Sequence, residues 1–258
     1  MQTYSSGRGL AIATLSAVIV ALLINTLSNF FPLGGQNVGE IANTVLDGVL
    51  IIPANYAFAI WGLIYVGLIA YGVYQLRPVQ RDNPNLRRVS GLLIIASGAQ
   101  IVWILCFTLQ LFALSILPMG VILLARVGPY LNLGTGEPRP SRKRRWLAQI
   151  PFSVYLAWIS VATIINVASA LYTAGWQGWG ISDGGWTAIM VGIAMVLAGV
   201  VAWRSRDIAF VLVYVWAFGA IAARHGDRPL IWVTAVVAIV INLAVLAVSR
   251  WRYAQAKR

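Results

Sequence analysis

Three groups of side chains recur at helical spacing within apolar sequence, and they are the residues here that could do chemistry. Phe58, Trp61 and Tyr65 fall at i, i+3 and i+7 in "FAIWGLIY", and Gln100, Trp103 and Phe107 repeat that spacing in "AQIVWILCF". Tyr155, Trp158, Ala162 and Asn166 share one face of "YLAWISVATIIN". Residues three and four apart lie on one side of a helix. Aromatic faces stack on flat apolar rings, a small alanine leaves room, and an amide in apolar surroundings seeks a hydrogen-bond partner. The chemistry these types offer together is recognition, in an apolar pocket with a few polar groups. The same stripes serve equally well as packing surface between helices, and periodicity alone does not choose between the two.

Other chemistries lack their residues. Cys106 is the sole cysteine and His225 the sole histidine, the latter in the polar turn "RHGDRP", where it reads as solvated. Glu40, Asp47, Asp227 and His225 are too scattered for an acid–base pair or a metal ligand set. No catalytic residue and no metal ligand is assigned, and an enzyme is not expected. A Schiff-base chromophore needs a lysine inside an apolar segment, yet Lys143 and Lys257 both lie outside such segments.

The elements that would position the stripes are membrane helices. The 258 residues are 60% hydrophobic and 10% charged, with a mean hydropathy of +0.80; soluble domains carry about 25% charged residues. Runs of the length needed to cross ~30 Å of hydrocarbon cover Gly9–Phe31, Ala54–Leu76, Val89–Leu109, Leu111–Tyr130, Leu147–Tyr172, Trp186–Trp203, Ile208–Ala223 and Leu230–Ser249. The fold class is therefore an all-α polytopic membrane protein of eight spans. The first run reads as a retained span rather than a signal peptide. The uncharged link between the third and fourth runs requires a tight hairpin.

Charge sets the expected orientation. With the N-terminus inside, 17 of the 19 basic residues fall on one side and only Arg224 and Arg228 on the other. Positive residues favour the cytoplasmic side, so both termini are expected in the cytoplasm, with a bacterial inner membrane as the location. Arg126 is counted here as lying near an inner end. The net charge of +12 then serves topology and lipid headgroups, and "SRKRR" at Ser141–Arg145 is a topology signal rather than a nucleic-acid patch. The expected partners are the bilayer and a hydrophobic small molecule, with no nucleic acid; a homodimer is compatible with this arrangement. On the opposite face, the loop Pro32–Pro53 carries Glu40 and Asp47 and no basic residue. Val38, Ile41, Val45 and Val49 within it predict a short amphipathic helix lying on the membrane interface or over the mouth of a cavity. Trp176, Trp179 and Trp186 in a Gly-rich loop read as an aromatic belt at headgroup level.

"IWGLIYVGLIAYGVY" from Ile60 and "YLAWISVATIINVA" from Tyr155 resemble the second and fifth helices of the TspO/MBR family, the tryptophan-rich sensory and translocator (peripheral benzodiazepine receptor-like) proteins. Pro53, Trp61 and Tyr65 match the second-helix pattern, and Tyr155, Leu156, Trp158, Ala162, Ile165 and Asn166 match the fifth. Asn55 and Ala59 stand where a Trp and a Pro are usual, and Val161 where a Phe is. The likeness covers Gly9–Tyr172, the length of a five-helix bundle. It implies an extended, divergent member: a TspO/MBR-like bundle over residues 1–175, then three additional helices and a basic tail over 176–258. It further implies a receptor or sensor for a planar hydrophobic ligand, tetrapyrrole (porphyrin or haem-like) or sterol-like, in an aromatic intramembrane pocket with the acidic loop as lid. Trp61, Tyr65, Trp103, Trp158, Ala162 and Asn166 are the expected ligand-binding residues, and no cofactor is required. Transport of tetrapyrroles or their precursors is the alternative. The scarcity of ionisable residues inside the spans speaks against ion coupling.

Overall fold

A backbone in hydrocarbon must satisfy its own N–H and C=O groups, and an uninterrupted apolar segment does so as a helix. The computed structural model describes residues 4–81, 83–133 and 141–256. Arg139, Lys257 and Arg258, which belong to the basic set above, lie outside the described residues. Among the described residues the fold is carried by eight long helices and a short lid helix: α1 (Tyr4–Phe30), the short α2 (Val38–Asn43), α3 (Ile60–Gln75), α4 (Pro84–Thr108), α5 (Phe112–Asn132), α6 (Ile150–Thr173), α7 (Asp183–Ser205), α8 (Ile208–Arg224) and α9 (Pro229–Gln255), with single helical turns at Pro78–Arg81 and Arg142–Arg144. A 3₁₀ turn at Asn55–Ala59 leads into α3, and a π turn at Arg145–Gln149 leads into α6.

Helix ends follow capping rather than hydropathy. α4 begins upstream of its apolar run because Asn83 accepts hydrogen bonds from the Asn85 and Leu86 amides. Ser182 does the same for Gly185 at the start of α7, and Asp207 for Phe210 at the start of α8. Each satisfies amides that the helix itself cannot. The tight hairpin between the third and fourth spans is present: Gln110, at φ 59°, reverses the chain between α4 and α5.

Seven of the long helices are long and apolar enough to cross a membrane, whereas α8 has 17 residues. At 1.5 Å per residue, α8 still measures about 26 Å. It runs alongside α6, with Ser153 paired to Asp207 at 2.6 Å and Ser160 to Tyr214 at 2.6 Å, each pair seven residues on from the last.

Helices α1, α3, α6, α5 and α4 close into a ring, each packed on the next. Glycine permits the closest approach between α3 and α6, where a Cβ on Gly67 would meet Pro151 at 3.0 Å. The last three helices form a second group, docked on the ring through α8 against α6 and against the 3₁₀ turn before α3. Small residues line its seams. Ala194, Ala198 and Ala202 of α7 and Ala235 and Ala238 of α9 are buried, which lets backbones approach where lipid supplies no hydrophobic drive.

The expected lid is partly reshaped. Of the patterned residues Ile41 and Val49 are buried and Val38 and Val45 half-buried, with the adjacent Leu46 and Leu50 buried as well, but helix persists only over Val38–Asn43 and gives way to turns. At Gly48 the Tyr172 ring occupies the space a Cβ would take, so the chain passes a point that a regular helix with side chains could not. Arg126 also departs from expectation. It is fully buried within the bundle, its Nη2 donating to the Leu92 carbonyl at 2.6 Å and its guanidinium over the Phe152 and Tyr155 rings. An intramembrane cation is thus present, held by a carbonyl and two aromatic faces.

Candidate functional site

Beneath the lid, at the end of the ring opposite most of the basic residues, lies a cavity of about 410 Å³. Its walls come from the stripes singled out in the sequence. Phe58 and Trp61 enter from the α3 segment, Trp103, Ile104 and Phe107 from α4, and Trp158, Ala162, Ile165 and Asn166 from α6. Phe58 stands edge-on to Trp158, ring centroids 6.2 Å apart, and Trp103 tilts against Phe107 at 5.0 Å. These aromatics are fixed by one another and offer flat faces at low entropic cost.

The one amide among the expected residues has found partners. Asn166 Oδ1 accepts from Trp103 Nε1 at 2.9 Å and from Ser115 Oγ at 3.1 Å. This joins α4, α5 and α6 beside the cavity and fixes the amide's orientation. Its Nδ2 and the Trp158 indole N–H are buried donors with no acceptor among the described residues. Five of the six expected residues, Trp61, Trp103, Trp158, Ala162 and Asn166, therefore border one cavity. Tyr65 does not. It lies one turn beyond Trp61, buried against α1, with its hydroxyl donating to the Ala21 carbonyl at 3.4 Å. It buttresses Trp61, whose ring is 5.8 Å away.

The asparagines at the mouth were not foreseen. Asn25 and Asn29 of α1, Asn37 and Asn43 of the lid, and Asn55 before α3 surround it, with Glu40 as the single charged residue of the lining. Asn25 and Asn29, one turn apart near the end of an apolar span, were the available signal, because amides at that depth serve a partner. The lid residues gave none, since asparagine is ordinary in loops. Glu40 is engaged locally: it accepts from the Asn37 amide at 2.7 Å while Asn37 Oδ1 accepts from the Glu40 amide at 3.0 Å. This capping box holds the start of α2. Asn43 Nδ2 donates to Asn55 Oδ1 at 3.0 Å, bridging the lid to the entry of α3. The cavity thus combines an aromatic interior with an amide-lined, nearly neutral rim.

Other candidates fare less well. Trp176, Trp179 and Trp186 pack on one another with centroids 5.0 to 6.0 Å apart. Trp186 Nε1 is already spent on the Gly178 carbonyl. His225, expected in solvent, is buried under the lid. Burial pushes its pKa below the ordinary 6.5, with Arg224 and Arg228 adding to the effect and a Leu50 backbone hydrogen bond and Asp227 opposing it. No group of three or more His, Cys, Asp or Glu that could hold a metal occurs among the described residues.

Comparison with known proteins bears on the whole chain. The family model described as TSPO-like protein matches residues 11–248. The match runs beyond the five helices of the bundle and through α7 and α8 into α9. No curated protein and no solved structure matches the chain.

Proposed function

The chain belongs to the TSPO-like family and is a multi-pass membrane protein of the TspO type; on that premise, we propose that it is a receptor or sensor that binds a planar hydrophobic ligand, tetrapyrrole or sterol-like, in the cavity under α2. The observation that carries this reading is the convergence of Trp61, Trp103 and Trp158 from three helices on one cavity with an amide rim. A flat apolar body would stack on the indoles, and its polar substituents would meet the asparagines at headgroup level. The charge partition supports placing the basic end in the cytoplasm and the cavity mouth on the opposite face of a bacterial inner membrane. Titration of the purified protein with protoporphyrin IX, followed by its absorption band, tests the reading. A saturable shift that weakens in Trp158→Ala supports it, and a spectrum identical to porphyrin in empty detergent refutes it. Transport of the same molecules is the competing reading, and buried Arg126 is the observation on its side. Uptake into liposomes, set beside equilibrium binding, separates the two.

A further inference from the structure

No residue of α7, α8 or α9 lines the cavity, yet α8 holds the cavity's roof. Arg224, the last residue of α8, donates from Nη2 to the Ala42 carbonyl at 3.1 Å and from Nη1 to the Pro53 carbonyl at 3.4 Å. Ala42 belongs to α2 and is itself part of the cavity lining. The same guanidinium lies 3.7 Å from Asp47. Asp47 is largely exposed, so the ion pair contributes little beside the two carbonyl bonds. One turn earlier the Ala220 carbonyl accepts from the Ala54 amide at 3.0 Å. One turn earlier again, Trp216 Nε1 donates to the Ala57 carbonyl at 3.1 Å, with its ring edge-on to Tyr56 at 5.1 Å. A single face of α8 therefore grips the lid and the whole entry to α3, from Ala42 to Ala57.

The lid needs this grip. Its regular helix is six residues long, too short to be stable by itself, and the carbonyls of Ala42 and Pro53 lie outside any regular ladder. A charged donor on a neighbouring helix satisfies both.

Resting on the reading of the cavity as the ligand site, we propose that Arg224 and Trp216 are positioning residues for its roof: the last three helices hold the lid over the pocket and so set how fast a ligand enters and leaves. They do so without touching the ligand, and the five-helix ring and the three-helix group form one functional unit.

The test uses the full chain with Cys106→Ser and a reporter thiol beneath the lid, Ala162→Cys. Its rate of modification by a membrane-impermeant maleimide measures roof opening without any ligand. Ala238→Cys, buried in α9, reports global loosening. Arg224→Gln is expected to speed labelling at Ala162→Cys roughly tenfold or more, the scale of losing charged hydrogen bonds, while Ala238→Cys stays slow. Arg224→Lys keeps a donor and should fall nearer the unaltered protein. Trp216→Phe should show a smaller rise. Protoporphyrin IX should associate and dissociate faster in Arg224→Gln by a similar factor. Unchanged labelling at Ala162→Cys in both Arg224→Gln and Trp216→Phe overturns the proposal, as does labelling that rises equally at Ala238→Cys. If Arg224→Gln does not insert, Trp216→Phe and Arg224→Lys decide by the same criteria. If the unaltered protein binds no porphyrin, the ligand reading fails, and the labelling rates still decide whether α8 holds the roof.

Discussion

At the scale of residues, the sharpest contrast is between Trp61 and Tyr65, neighbours on one stripe with different surroundings. Trp61 borders the cavity, whereas Tyr65 is packed behind it with its hydroxyl on the Ala21 carbonyl. Removing a stacking ring costs ~0.5–1.5 kcal/mol beyond area burial. Trp158→Ala and Trp61→Ala should each weaken protoporphyrin binding several-fold, while Tyr65→Phe, which keeps the ring, should leave it within about twofold. A titration in which Tyr65→Phe loses as much as Trp61→Ala would reverse this division of roles. His225 yields a pH prediction. Its pKa is lowered in the folded protein, so below the ordinary value of 6.5 the unfolded chain binds more protons than the folded one. The associated stability is complete above that pH and is lost as pH falls below it. The melting temperature should therefore drop between pH 7.5 and 5.5, and His225→Gln should flatten that drop. A slope unaltered by His225→Gln would assign the effect to other groups.

At the scale of elements, helices were legible wherever one rule dominated. Apolar length predicted eight spans, and eight long helices are present among the described residues, seven of them long and apolar enough to cross a membrane. Their ends escaped the hydropathy reading because caps at Asn83, Ser182 and Asp207 set them. The lid helix was half legible: Ile41 and Val49 are buried as foreseen, but Tyr172 seated on Gly48 is a contact between segments far apart in sequence. Asp207 caps α8 at the Phe210 amide and also accepts from Ser153 at 2.6 Å. Asp207→Ala should therefore cost about 1–3 kcal/mol, a lost cap plus an unpaired buried hydroxyl. Thermal unfolding in detergent checks it, and Asp207→Asn, which can still accept, should recover most of the loss.

At the scale of the whole molecule, two expectations can be measured. Reporter fusions after Leu76 and after Arg258 should report the cytoplasmic side and one after Tyr172 the outer side, from the partition of the basic residues, 16 of 18 once buried Arg126 is set aside. A C-terminal reporter active only outside would remove one crossing, and α8, with 17 residues, would be the helix in question. A chain ending at Gly175 retains every residue that lines the cavity but loses the α8 contacts to Ala42, Pro53, Ala54 and Ala57. It should insert and bind protoporphyrin with faster exchange than the full chain. Exchange at the full-chain rate would mean that the five-helix ring positions its own lid.

By itself the sequence determined what local rules govern. Hydropathy dictated membrane helices, because hydrocarbon leaves the backbone no other way to satisfy its polar groups. Helical period placed Trp61, Trp103, Trp158, Ala162 and Asn166 on faces that could meet, because side-chain direction repeats every 3.6 residues. The tertiary structure decided which faces do meet and how they are held. Asn166 pairs with Trp103, 63 residues away, and Arg224 reaches Ala42 across 182. Nothing near Arg224 in the chain marks it as more than one of the two basic residues, with Arg228, in the turn between α8 and α9. Its role comes from the docking of α8 against the lid, where two backbone carbonyls, that of Ala42 in the last turn of α2 and that of Pro53 in the loop, require a donor.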